Sequence, residues 1–437
     1  MNAPTPRVAV IGGGYAGLTA AVELARAGFA VSVFESSRTL GGRARVVEKD
    51  GYRIDNGQHI LIGAYTETLR MMRSLGVPPR QLLARPFSLH VPGRLSLRAA
   101  QAPAPLNLAI GLLRSRELSW ADRWAALRLM RYLKRKHYRF DTDHPVSELL
   151  ATTEQTPLLT ELVWEPLCVA ALNTPANEAS AQVFANVLRD SLAGRAADAE
   201  LLIPRVDLTE MLPFPAAHFL SRQGHPVHTA TPIKRILRAR DGFLLDGNPF
   251  GGDVFDYVVV AVAPYHVSAL LEGFDEAAML RQQIDALPYE PITTVYLEYD
   301  RDIRLPEPMI GMSDSIVQWL FDRGQLGGMP GMLAGVISAR GPHSDLPRDE
   351  IALRAHQAVE RLFPRLAAPR WSTVITEKRA TFACRPGLVR PRHVTPIRNL
   401  VLAGDYLDPT YPATIESAVR SGLTAARHIT RLTLASR

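Results

Sequence analysis

The chain has 437 residues, of which 47% are hydrophobic and 21% charged, with a formal charge of +7. That length favours two domains over one core, and the composition excludes wholesale disorder. No apolar run approaches the roughly 18–20 residues needed to span a bilayer, and the modest positive excess permits attraction to an anionic surface without specifying which.

The N-terminal stretch MNAPTPRVAVIGGG lacks a basic-then-apolar leader pattern, because strand-like residues begin almost at once. The pattern predicts a buried strand over residues 7–12, a helix from Tyr15 to Ala27 ended by Gly28, and a second strand over 30–35. Within this βαβ unit, Gly12, Gly14 and Gly17 fit G-x-G-x-x-G. Gly12 allows the tight turn, Gly14 admits backbone to a pyrophosphate, and Gly17 lets helix and strand approach. Glu35, at the end of the second strand, can accept both ribose hydroxyls and repels a 2′-phosphate, which leaves NAD or FAD. Residues 40–45, LGGRAR, follow directly, and Gly42 with Arg43 combines close backbone approach with a fixed positive charge for a diphosphate or a flavin edge. Residues 55–65, DNGQHILIGAY, then set an acid, an amide, an imidazole and two glycines against Ile60, Leu61 and Ile62.

Beyond this, the Pro- and Arg-rich stretch around 85–105 reads as a connecting loop. Residues 122–140 have helical periodicity, with Ala126, Leu129, Met130 and Leu133 on one face and Arg128, Arg131, Arg135 and Arg139 on another. Two readings apply, a helix with a solvated charged face or a basic amphipathic helix at a membrane interface, and the first is adopted for this helix. Cys168 and Cys384 match no metal or CxxC spacing, so a reducing compartment is expected, and Cys168 reads as a small buried apolar residue. Residues 225–264 read as a β-meander returning to an apolar strand, Tyr257–Val262. The glycines of 324–333 lack strand and helix context and read as a loop. Without a second dinucleotide fingerprint, an NAD(P)H domain is not evident, so the electron donor is expected to come from outside or to bind in a way the sequence does not mark. Residues 399–405 form a further buried strand ending in a glycine turn, and a helix runs from about Ile415 to Leu432. Neither a metal cluster nor a nucleic-acid-binding arrangement is apparent.

Three segments carry a resemblance: the N-terminal fingerprint, LGGRAR, and residues 402–426, LAGDYLDPTYPATIESAVRSGLTAA. Together they resemble the flavin-containing amine oxidase and carotenoid desaturase superfamily and bracket the whole chain. Residues 55–65, 164–184 (WEPLCVAALNTPANEASAQVF), 186–192 (NVLRDSL) and 202–212 (LIPRVDLTEML) look most like its squalene-associated branch, the hydroxysqualene dehydroxylases. The resemblance implies a two-domain α/β (α+β) fold. A discontinuous Rossmann-like FAD-binding domain (1–85, 211–265 and 396–437) would be interrupted by a substrate-binding domain (86–210 and 266–395).

It also implies site roles. Gly12, Gly14 and Gly17 would hold the FAD pyrophosphate and Glu35 the adenosine ribose, with Gly42 and Arg43 beside the pyrophosphate and flavin. The backbone of Ile233 would meet adenine, Gly404 and Asp405 the pyrophosphate and ribityl chain, and Gly57 the isoalloxazine. The N–H of Ile415 would face the flavin pyrimidine at a helix N-terminus. The implied chemistry is reductive loss of an allylic hydroxyl from hydroxysqualene, by hydride from reduced flavin, to give squalene for hopanoids or sterols. His59, Tyr411, Glu165 and Asp190 are the candidate proton donors. His59 leads because its ordinary pKa lies near the working pH, although it equally reads as a backbone-bonding histidine. Trp164 reads either as tunnel wall or as core. The rival readings are a polyene desaturase working in the opposite direction, an amine oxidase, and a lipid escort protein without redox chemistry. The expected location is cytoplasmic, with peripheral contact on the inner face of the membrane kept open.

Overall fold

Five short, β-branched strands form a parallel sheet ordered Val227–His228, Ala30–Phe34, Arg7–Ile11, Tyr257–Val260 and Leu400–Leu402. The computed structural model describes residues 5–103, 106–300 and 302–435. Val8, Val10, Val258, Val259 and Val260 are wholly buried, as expected of parallel strands covered on both faces. The chain runs outward from the central Arg7–Ile11 strand in both directions, so a crevice opens at its C-terminal end, where Gly12 begins.

Two helices, Tyr15–Arg26 and Ile415–Ala435, pack together over this sheet. Gly422 allows their contact: a Cβ there would lie 2.3 Å from the Ala16 carbonyl oxygen. Gly12 has φ +113°, and a Cβ on it would lie 2.5 Å from the Ala261 oxygen. The tight turn read from its spacing is present, and the close approach to Ala261 adds a second reason for glycine.

The second sheet is antiparallel, ordered Met309–Gly311, Trp319–Asp322, Met332–Ser338, Tyr289–Glu298 and Trp371–Phe382. Its alternation divides two cores. Val295, Leu297 and Leu333 pack with Ile351 and Ala355 of the Arg348–Glu360 helix. Tyr296, Phe321 and Phe382 instead face a helical layer that includes Trp120–Arg135, Glu165–Leu172 and Ala181–Leu192. A three-stranded sheet (Leu61–Ile62, Leu201–Pro204, Leu82–Arg85) ties the two halves together. Gly63 is required there, since a Cβ on it would meet the Ala197 oxygen at 1.7 Å.

Several local expectations change. Residues 225–264 are not one meander: Val227–His228 joins the parallel sheet beside Ala30–Phe34, while Arg235–Ala239 and Gly242–Asp246 form a separate hairpin. Parallel pairing is non-local, so alternation within the stretch cannot reveal it. The stretch around 85–105 contains a hairpin, Ser88–Val91 with Leu95–Arg98, closed by a turn at Pro92–Arg94. Its inward residues Leu89, Val91, Leu95 and Leu97 alternate with polar ones, a signal hidden by the Pro and Arg content. Residues 104 and 105 of that stretch lie outside the described residues. The helix expected over 122–140 starts earlier and ends sooner, at Trp120–Arg135. Ser119 caps it and Asp122 returns the bond to the Ser119 N–H, a capping box that sets the start.

Candidate active site

The glycine turn at the end of the first strand lies against the second one. Gly41 donates its N–H to the Gly13 oxygen at 2.9 Å, and a Cβ on Gly42 would stand 3.4 Å from the Gly14 Cα. Gly17 has no room for a side chain, because a Cβ would be 2.0 Å from the Gly12 oxygen. Glu35 is buried at the strand end, and its carboxylate accepts N–H bonds from Gly13 and Ser37, each at 2.7 Å. Thr231 donates its N–H to the Glu35 carbonyl, so the segment leading to Ile233 returns beside Glu35. Gly404 lies two residues beyond the Leu400–Leu402 strand, and Ile415 is the first residue of the long C-terminal helix. The N-terminus of the Tyr15–Arg26 helix and two glycine turns therefore lie together at the crevice, an arrangement suited to a dianionic pyrophosphate.

Arg43 and Asp405, 362 positions apart, form an ion pair at 2.6 Å, and Arg43 also donates to the Ala380 carbonyl at 2.5 Å. Three nearby aromatic residues were not read from the sequence. Tyr265, Tyr289 and Tyr406 lie within electrostatic reach of Arg43. Among the described residues, the buried hydroxyls of Tyr289, Tyr406 and Thr294 have no hydrogen-bond partner. Buried polar atoms are rarely left so. A flat polar group with ring nitrogens and carbonyls would satisfy them, so the residues present fit FAD. Tyr406 had a signal, since it directly follows Asp405. Tyr265 and Tyr289 had none, as only the fold brings them here.

His59 faces this cluster. A Cβ on Gly57 would lie 3.7 Å from the His59 ring and 3.8 Å from the Thr294 hydroxyl oxygen, so Gly57 keeps the backbone slim beside both. The His59 Nδ1 is 2.8 Å from the Gly57 oxygen. Burial draws its pKa below the ordinary imidazole value, the Gly57 bond opposing and Arg43 reinforcing. The ring is therefore neutral at neutral pH, and with its one proton directed at Gly57, Nε2 carries none to donate. The ordinary pKa on which its sequence reading rested does not survive burial.

Tyr411 and Asp190, expected separately, meet: the phenol donates to Asp190 Oδ2 at 2.5 Å. Arg189 bonds Asp190 Oδ1 at 2.6 Å, and the Arg420 guanidinium lies 4.3 Å from the Tyr411 ring centre. Burial and then the Asp190 bond push the phenol pKa up, so it keeps its proton at neutral pH. Glu165 stands apart, at the exposed start of the Glu165–Leu172 helix, where partial desolvation and then Glu161 raise its carboxyl. Trp164 is buried and donates its indole N–H to Gln155 at 2.7 Å, which makes it core. Cys168 is buried and free, its thiol pKa raised by desolvation.

In the DNGQH segment, the carboxyl of Asp55 accepts from the Leu208 N–H at 2.8 Å, and its other oxygen has no partner among the described residues. Burial pushes it up to about 6, with Arg323 and the Leu208 bond opposing. Arg323, far along the chain, also donates to Gln58 at 3.1 Å. A cavity of about 490 Å³ is bordered by Arg392, His393, Asp408, Arg420 and His428.

Glycine turns at a strand end, a buried acid at the next strand end, an Arg43–Asp405 pair and a separate antiparallel layer fit a dinucleotide-dependent oxidoreductase. The family model for flavin containing amine oxidoreductase matches residues 15–430, and the chain belongs to that family. It is an oxidoreductase that uses FAD. The chain is 31% identical to hydroxysqualene dehydroxylase of Rhodopseudomonas palustris over 96% of its length and 97% of that protein. It is 23% identical to zeta-carotene desaturase of Arabidopsis thaliana, covering 98% of this chain and 85% of the other. Among solved structures, cyclohexylamine oxidase from Brevibacterium oxydans superposes with a TM-score of 0.70 at 19% identity, covering 98% of this chain and all of that one. That similarity places the fold alone.

Proposed function

We propose that this enzyme removes the allylic hydroxyl of hydroxysqualene to give squalene. The observation that carries this is end-to-end similarity to three dehydroxylases at 27–31% identity, against 22–24% for the carotene desaturases. When bound, reduced FAD supplies the hydride that replaces the hydroxyl, and water leaves with one added proton.

The chain's own residues have three tasks. Gly12, Gly14, Gly17, Glu35 and Gly42 would hold the nucleotide half of the cofactor, with Ile233 at adenine. Arg43, Gly57, Gly404, Asp405 and Ile415 would hold the flavin half. Tyr411 is assigned the proton: its phenol would give it to the departing hydroxyl and be reprotonated from solvent, while Asp190, held by Arg189 and accepting the phenol O–H, positions it. Neutral His59 is assigned a positioning role between Gly57 and Arg43. The apolar face of the helical layer, with Phe184 and Leu188 beneath it, would keep bulk water from the reacting carbon.

The domain division belongs to the same proposal. It is supported by the parallel sheet, which draws only on 1–85, 211–265 and 396–437, and by the antiparallel sheet, which lies within 266–395. An external electron donor is proposed because one dinucleotide fingerprint is present. Peripheral contact with a membrane is proposed because the substrate is nearly insoluble in water. No helix among the described residues is long and apolar enough to cross one.

The test is anaerobic incubation of the flavin-reduced protein with hydroxysqualene, followed by product analysis. Squalene is expected. Absence of squalene, with polyene dehydrogenation by the oxidised protein, would make it a desaturase. A purified protein without reducible flavin would make it an escort.

A further inference from the structure

The Leu106–Arg114 helix is almost wholly apolar, yet only Asn107 and Gly111 of its residues are buried. Gly111 seats it on the neighbouring hairpin, where a Cβ would lie 2.5 Å from the Arg98 oxygen. Leu106 and Leu113 are left exposed. The next helix continues the same surface. Trp120 and Trp124 are 66% and 64% exposed, and Leu127 is also exposed. These three share one face by their spacing, opposite the buried Ala125, Ala126, Leu129 and Leu133. Arg123 joins the two helices, bonding the Leu112 and Ser115 carbonyls at 3.0 and 2.8 Å with its guanidinium 4.9 Å from the Trp120 ring centre. The tryptophans thus stand on a capped helix rather than a loose loop.

Two turns on, the outward face turns cationic, with Arg131, Lys134 and Arg135 exposed. From residue 106 to 136 the chain carries eight Lys and Arg against two acids, Glu117 and Asp122, and Asp122 is consumed in the helix cap. We propose that this face, Leu106–Leu113 with Trp120–Leu127 and the basic half-turns beyond, docks on an anionic lipid bilayer. The occupant follows from the chemistry. Indole rings favour the headgroup boundary, leucines the acyl edge, and the flanking cations anionic headgroups. A second copy of the chain would set eight cations against eight, and the leucine centre offers nothing to a nucleic-acid backbone. The proposal deepens the reading above by naming the surface through which a water-insoluble substrate is met. Over residues 122–140 the sequence is read as a solvated charged face in preference to a membrane interface; Trp120 and the preceding helix lie outside that stretch.

The test uses the flavin-loaded full chain in flotation with phosphatidylcholine vesicles, with and without phosphatidylglycerol. The wild type is expected to float with the anionic vesicles and to detach as salt rises. The variant W120E/W124E should bind roughly ten-fold weaker or less, with its flavin spectrum and melting temperature unchanged. In R131E/R135E the preference for phosphatidylglycerol should fall roughly five-fold or more per reversed charge. Equal binding by wild type and W120E/W124E overturns the proposal. So does a wild type that stays in solution, or one that dimerises through this face in light scattering instead of floating. Turnover of detergent-solubilised hydroxysqualene is read separately. Its failure alone removes the proposed reaction and leaves the surface, while failure of flotation alone does the reverse.

Discussion

Replacing Gly422 by alanine sets two effects against each other. Alanine favours a helix interior by about 1 kcal/mol over glycine. The added carbon would lie 2.3 Å from the Ala16 oxygen, 3.0 Å from the Thr19 Cβ and 3.1 Å from the Ala20 nitrogen. The first of these is short of ordinary contact by about 1 Å, and it is a main-chain atom within the Tyr15–Arg26 helix, so no side chain can rotate away. Overpacking of this kind costs about 1–3 kcal/mol and occasionally more, and a rigid helix pair places it at the upper end. The net expectation is a loss of about 2 kcal/mol. The same displacement moves the Tyr15 end of the first helix, where the pyrophosphate would bind, so cofactor affinity should fall with stability. The assay is thermal melting followed both by circular dichroism and by released flavin fluorescence, since a protein of this size need not melt in one step. Both midpoints should fall by several degrees. Gly273, with nothing within 4 Å of its missing side chain, is the control, and its alanine variant should melt like wild type. A Gly422→Ala protein that melts at or above wild type, with FAD affinity intact, would refute the close helix contact.

Glu35→Gln keeps the volume but removes the charge beside Gly13 and Ser37, and FAD should bind about ten-fold weaker or worse by equilibrium dialysis. Tyr411→Phe should lower kcat by about 10²-fold or more with little change in KM, and Asp190→Asn added to it should cost little further if the two act as a pair. Asp55 has a folded-state pKa of about 6, above its ordinary 3.8. Its contribution is therefore present below about pH 4 and lost as pH rises through 6. Asp55→Asn should accordingly melt higher than wild type at pH 8, by the equivalent of at most about 3 kcal/mol, with the gap closing by pH 4. A gap that does not vary with pH would remove Asp55 as a buried, titrating acid.

Much of the nucleotide half was legible because its determinants are local. A buried strand, three glycines at fixed spacing, a helix and an acid at the next strand end lie within 29 residues, Arg7 to Glu35, and each must be where it is for backbone to meet a pyrophosphate. The structure adds the clashes that make Gly12 and Gly17 obligatory. Position in sequence also marked Arg43 and Asp405, although not that they pair. The candidate proton donors were named as four unconnected residues, because periodicity carries no distances. Folding joined Tyr411 to Asp190 across 221 positions, left Glu165 on the surface, and buried His59 until its pKa argument failed.

Other features were invisible for the same reason. Tyr265, Tyr289 and Arg323 belong to the site only through long-range packing, and the parallel pairing of Val227–His228 has no local signature. The exposed face at Trp120 and Trp124 needed the helix start, set by the Ser119 cap, and the neighbouring helix seated by Gly111. By itself, then, the sequence determined what is dictated within one turn, strand or βαβ unit: the cofactor class and the glycine turns and acid proposed to cradle it. Which distant side chains hydrogen-bond, which acid is desolvated and which apolar face is left exposed were decided only by tertiary structure, because burial and distance come into being when separate segments pack.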